Sequence, residues 1–292
     1  MNFRTDLALE RQEILNKSDF SGVTTETEES GNIKITRITI TSNEAEKQLL
    51  KPKGRYITVE VPPFSSDAEM FDEKLKLLSK EISSVLPSDN GEVLVVGLGN
   101  EQITADALGP KTVSLILATR HISSEILSSI GLDGIRSVSA LSPGVLGRTG
   151  IETGEIIRGI VDRIKPDAVI VVDALASRSI KRLGTTVQIS DTGISPGSGV
   201  GNNRKRLDET TLGVKVISIG VPTVVDGETL AFDFADKKKT KSFSALPESK
   251  NVFVTPKEID LLIERASKLV SMAINCALQK NMTPEDIISL VS

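Results

Sequence analysis

Two aspartates stand where an α/β protein keeps its reactive groups. Asp173 closes the apolar run Ala168-Val169-Ile170-Val171-Val172. Asp106 follows the run Val93-Leu94-Val95-Val96, separated from it by Gly97-Leu98-Gly99-Asn100 and a short loop. In open α/β sheets, sites form beyond the carboxyl ends of the strands. A carboxylate at the end of a buried strand is partly desolvated, which favours its protonated form. Two such groups close together do not both ionise easily, so one keeps a proton while the other stays charged. The charged member can take a proton from water, and the protonated member can polarise a carbonyl. That pair hydrolyses a peptide bond without metal, Ser or Cys. A capping role is also open to Asp106, which precedes an expected helix at Leu108.

Other chemistry-bearing residues have plainer readings. Gly97 and Gly99 begin a dinucleotide fingerprint, but Gln102 stands where its third glycine belongs. The loop Pro196-Gly197-Ser198-Gly199-Val200-Gly201-Asn202-Asn203 lacks the Gly-Lys-Ser/Thr ending of a P-loop. It fits a flap or a tight turn beside a ligand. Gly99, Asn100, Gly197 and Gly199 are thereby candidate substrate contacts. Asp191-Thr192-Gly193 matches the triplet of pepsin-like proteases, yet it occurs once and in a helix-rich chain. A turn after Val187–Ile189 is the expected role. His121 is read as a dipole-favoured histidine at a helix end, and Cys276, between Ile274 and Ala277, as a small core residue.

With one His and one Cys, the 292-residue chain cannot build a zinc site of the usual nitrogen and sulfur ligands, nor an intramolecular disulfide. A reducing cytosol is the expected setting. The net charge of −4 and 3% aromatic residues argue against nucleic-acid binding. No apolar window is long enough for a membrane span, and Met1–Ala8 has no apolar signal-peptide region. Hydrophobic residues at 39% and charged residues at 25% exclude disorder along the whole chain.

The elements that must position the acids follow from periodicity. Continuous apolar runs at Val93–Val96, Ala168–Val172 and Val214–Ile219 predict parallel strands covered on both faces. Ser137–Leu141 and Thr186–Ile189 are weaker strands. Helices are predicted at Ser66–Leu86, Leu108–Thr119, Gly154–Ile164 and Pro256–Leu278, the last capped by Thr255-Pro256-Lys257-Glu258, and a short one from Thr283-Pro284. Before them, Ile33, Ile35, Ile38 and Ile40 mark a strand with a bulge near Arg37, and Ile57, Val59 and Val61 mark another. Residues 1–30 are read as a loosely held acidic segment, and Lys237–Lys241 as a solvated loop. The fold class is α/β: a mostly parallel sheet with helices on both faces and an N-terminal β extension.

Taken in order, these segments match a known family. Arg4-Thr5-Asp6-Leu7-Ala8, Val95-Val96-Gly97-Leu98-Gly99-Asn100, Asp106-Ala107-Leu108-Gly109-Pro110, Asp173-Ala174-Leu175-Ala176, Ile189-Ser190-Asp191-Thr192-Gly193-Ile194, Pro196–Asn202, Gly220-Val221-Pro222-Thr223-Val224-Val225-Asp226 and Val254–Glu258 resemble the germination (spore) proteases of endospore-forming bacteria. That family degrades small acid-soluble spore proteins. Its core is similar to the hydrogenase-maturation endopeptidases.

The resemblance implies an atypical aspartic endopeptidase of the spore cytoplasm, assembled as a homotetramer. It implies Asp106 and Asp173 as the catalytic acids, with no metal and no cofactor. Family members are zymogens that trim their own N-terminus, and they cut after an acidic residue followed by an apolar residue and Ala. Asp6-Leu7-Ala8 fits that pattern, so residues 1–6 are expected to be a pro-segment removed between Asp6 and Leu7. Residues 7–292 then form a single domain, of which 7–65 are the extension and 66–292 the core. Arg204-Lys205-Arg206 is a candidate basic surface for the acidic residue before the cut. Alternative readings are a metal-dependent processing peptidase of the hydrogenase-maturation type and a non-catalytic nucleotide- or small-ligand-binding module.

Overall fold

The computed structural model describes residues 5–15, 21–66, 73–88, 90–129, 131–197, 205–234 and 252–291. Among these, nine strands form one sheet. They are β1 (Val23–Ser30), β2 (Ile33–Ile40), β3 (Gly54–Glu60), β4 (Val93–Gly97), β5 (Val138–Leu141), β6 (Ala168–Ser177), β7 (Thr186–Ser190), β8 (Lys215–Asp226) and β9 (Phe253–Val254). Their order is β1-β2-β3-β7-β8-β6-β4-β5, with β9 on the end of β8. The stretch β8-β6-β4-β5 is parallel, as the apolar runs predict. The N-terminal extension β1-β2-β3 joins it antiparallel through β7. No helix among the described residues is long and apolar enough to cross a membrane.

Helices cover both faces. On one lie Glu73–Val85, Leu108–Val113 and Ile259–Leu278, burying Leu78, Ile82, Leu108 and Ile274 against Val95, Ile170 and Ile217. On the other, Thr153–Ile164 buries Ile157 and Val161 against Leu94, Val96 and Val171. Further along that second face, helices Ala8–Ile14 and Asn43–Leu49 cover Ile38, Ile40 and Tyr56. Between these two covers the sheet presents Gln188, Ser190, Ser218 and Gly220 to a cleft of about 540 Å³.

The structure corrects several local expectations. Residues 1–30 are not loosely held throughout: Ala8–Ile14 is a docked helix and Val23–Ser30 is the edge strand β1. Its Thr/Glu composition is that of an exposed edge, where charge discourages further pairing. There is no bulge at Arg37, because β2 pairs without a break on both sides. The slip in its pattern has another cause. Ile33 and Ile35 pack under helix Glu73–Val85, whereas Ile38 and Ile40 face the N-terminal helices across the sheet. The bulge lies instead between Leu175 and Ala176, where β6 loses register with β8. Pro222 stands opposite and has no N–H to give the ladder, so Thr223 becomes the extra residue. Strands β6 and β8 also run beyond Asp173 and Gly220 rather than stopping there. Helix Leu108–Val113 is shorter than predicted and leaves exposed His121 in a turn, not at a helix end. The last long helix starts at Ile259 without a side-chain cap, not at Pro256.

Candidate active site

Strand β4 ends at Gly97, whose partner in β6 is Val172. Asp173 is the next residue of β6, now paired only with Gly220 of β8, and it is 6% exposed. Alternation along β6 turns it toward the same face as Val169, Val171 and Leu175. That is the face of the cleft. Its Oδ1 accepts the N–H of Ala174 at 2.9 Å.

Asp106 reaches the same end of the β4–β6 pair by a different route. After β4 the chain turns at Gly99, which has φ +115°, and returns through a 3-10 turn, Thr104–Asp106. A Cβ on Gly99 would stand 2.0 Å from the Asp106 carbonyl oxygen, so glycine is required both by φ and by space. Asn100 N–H donates to Asp106 Oδ2 at 2.7 Å. Helix Leu108–Val113 has Ala107 at its N-cap and no side-chain cap, so capping does not account for Asp106. Gly97 and Gly109 meet backbone to backbone, where a Cβ on Gly97 would lie 2.2 Å from the Gly109 carbonyl oxygen. These glycines permit close packing of the turn on the helix, which explains the incomplete dinucleotide pattern. The turn is braced from β8, where Thr223 Oγ1 donates to the Ala105 carbonyl at 2.7 Å. The bulge residue thus supports the segment that carries Asp106.

The other predicted residues are spread over the fold, and some of them lie outside the described residues. Gly99 and Asn100 line a second depression, of about 360 Å³, with Pro110, Ser142 and Arg148. Gly197 lies in a turn with φ +73°, while Gly199, Arg204 and Lys237–Lys241 lie outside the described residues. Arg206 lines the main cleft and is committed to the Thr192 carbonyl at 2.7 Å and to Asp208 at 2.9 Å. Asp191 accepts the Arg55 N–H at 2.7 Å in the turn after β7, as the turn reading expects. Cys276 packs half-buried against the core, and burial pushes its thiol up to about 11.

The N-terminal segment enters the cleft. Asp6 N–H donates to the Ala176 carbonyl, and Ala176 N–H donates to Asp6 Oδ2, both at 2.9 Å. The contact falls on the bulge, three residues along β6 from Asp173. Leu7 is 0% exposed. Glu10, 2% exposed, accepts from Arg178 N–H at 2.6 Å, Ser179 N–H at 3.0 Å and Arg182 at 3.2 Å, and the Thr5 hydroxyl donates to it as well. Lys51 Nζ donates to the Asp6 carbonyl oxygen at 2.6 Å. Sequence reasoning missed Lys51 and the bulge. Pro222 within an apolar run was the available signal for the bulge. For Lys51, in the loop after helix Asn43–Leu49, no local signal exists.

The germination protease family model matches residues 4–244. Similar proteins include germination proteases of Caldanaerobacter subterraneus subsp. tengcongensis (45% identical, covering 100% of this chain and 98% of that one), Clostridium tetani (42%, covering 100% of both) and Priestia megaterium (37%, covering 97% and 95%). Matches of this length and identity establish that the chain belongs to the germination protease family and is a peptidase of spore germination.

Proposed function

We propose that this peptidase is an aspartic endopeptidase in which Asp106 and Asp173 activate water and polarise the scissile carbonyl. The observation that supports this most is their convergence: both acids stand at the carboxyl end of the β4–β6 pair, delivered by separate segments. One carboxylate in its charged form takes the proton of water, and the protonated partner hydrogen-bonds the carbonyl. Its substrates are small acid-soluble spore proteins, cut after an acidic residue. The chain is a zymogen that removes residues 1–6 by cutting Asp6–Leu7, needs no cofactor, and works as a homotetramer in the spore interior. The docking of Asp6 on Ala176, in the same strand as Asp173, supports the processing site.

Incubation with a small acid-soluble spore protein, followed by mass spectrometry, tests this. Wild type cuts after acidic residues with or without chelator. Asp106→Asn and Asp173→Asn each lower the rate by at least about 10²-fold, the scale for loss of a general acid or base. Full activity in either variant rules out that acid.

A further inference from the structure

Lys51 has no part in the two-acid scheme, yet it touches the bond that scheme would cut. Its Nζ lies 2.6 Å from the carbonyl oxygen of Asp6, the carbonyl of the Asp6–Leu7 bond. Two other contacts fix that residue: Asp6 N–H on the Ala176 carbonyl and the Ala176 N–H on Asp6 Oδ2. Thr5, Asp6 and Lys51 line the cleft of about 540 Å³, which has ample room for water, whereas Leu7 beyond them is buried. We infer that Lys51 is a further catalytic residue, the cationic donor that stabilises the oxyanion formed on the Asp6 carbonyl when the chain processes itself. This rests on the reading that Asp6–Leu7 is the bond cut.

The step balances without any added reagent. Water oxygen bonds to the Asp6 carbonyl carbon, and a carboxylate takes the water proton. The C=O π pair moves onto oxygen, where the Lys51 ammonium donates. The C–N bond then breaks, and the Leu7 nitrogen receives the proton, leaving an Asp6 carboxylate and a Leu7 amine. A charged donor aimed at developing charge in an enclosed site is the arrangement that lowers such barriers most.

The surroundings agree with an ammonium kept available. Lys51 is half-buried at the cleft wall, with Asp6, Glu10, Arg11 and Arg206 as its charged neighbours. Burial pushes it down to about 8, with Asp6 opposing that shift and Arg11 and Arg206 adding to it. The group is therefore charged at neutral pH and loses its charge above about pH 8.

The test follows the intact mass of the full chain over time, with Leu7 as the new N-terminus. Lys51→Met slows self-cleavage by about 10²–10³-fold, the cost of one oxyanion donor. Lys51→Arg, which keeps the charge, recovers part of the rate. Wild-type rates fall above about pH 8, and in Lys51→Arg that alkaline fall moves to higher pH. Hydrogen exchange at residues 5–15 separates chemistry from docking, since the inference requires Lys51→Met to stay docked. Cleavage by Lys51→Met at the wild-type rate, loss of rate matched by undocking, or an unmoved alkaline fall in Lys51→Arg would each overturn the role of Lys51 alone. Wild type that never cuts Asp6–Leu7 overturns the processing reading, and this inference with it.

Discussion

At the scale of single residues, polar groups placed off water govern this molecule. Lys51 illustrates the cost. Its ordinary value is 10.5, and burial lowers it to about 8. Between those values the unfolded chain holds a proton that the folded chain has released, so stability rises with pH across that window. Below about pH 8 the penalty of the buried ammonium stands in full. The gain from pH 8 to 10.5 is roughly 3 kcal/mol for a shift of this size. Urea unfolding of wild type and Lys51→Met at several pH values isolates it. The wild type gains on the variant as pH rises through the window, and parallel curves would show that Lys51 titrates normally. A function that needs the charge at neutral pH, set against a fold that is more stable without it, is expected at a reactive site.

Individual elements hold the site through contacts between segments distant in sequence. Helix Ala8–Ile14 is only two turns long, too short to be stable alone. What fixes it is Glu10, which gathers the N–H groups of Arg178 and Ser179 and the Arg182 guanidinium in a buried spot. Replacing Glu10 with Ala takes the carboxylate from the Arg178 and Ser179 N–H groups, while Arg182 keeps Glu13, at a cost of about 2–5 kcal/mol for two buried donors that lose their acceptor. Hydrogen exchange should quicken at residues 5–15 and 176–179 and stay slow in β2 and β3. Unchanged protection at 5–15 would mean that Leu7 and Ala8, buried at the start of the helix, suffice to hold it. The sequence made part of this site readable. Apolar runs ending at Gly97 and near Asp173 located both acids, because a strand covered on both faces must be apolar throughout. Glu10 and Lys51 were not readable, since each is defined by partners more than 40 residues away. The helix ends failed for the opposite reason: strong local signals at Thr255-Pro256 yielded to packing of the long helix on the core.

For the whole molecule, the boundary between extension and core is a boundary of sequence and not of packing. The period-2 patterns of β2 and β3 were legible, but not what they would pack on. Ile33, Ile35, Ile57 and Val59 belong to the same buried cluster as Leu78, Ile82, Ile170 and Ile274. Strand β3 pairs with β7 over Tyr56–Glu60, so the extension also closes what would be a bare edge of the core sheet. Removing the extension deletes Ile33, Ile35, Ile57, Val59, Val61 and Phe64 from that cluster, each worth on the order of 1–5 kcal/mol. Their sum reaches the whole stability of a typical domain, about 5–15 kcal/mol. A chain beginning at residue 66 should therefore fail to fold, whereas the full chain melts in one transition. Circular dichroism on both decides the matter. A cooperative melt of the shortened chain would mean that the parallel strands and their helices are self-sufficient. The extension would then be an added layer on an independent core, and Lys51, which it carries, would be supplied to the site from outside that core.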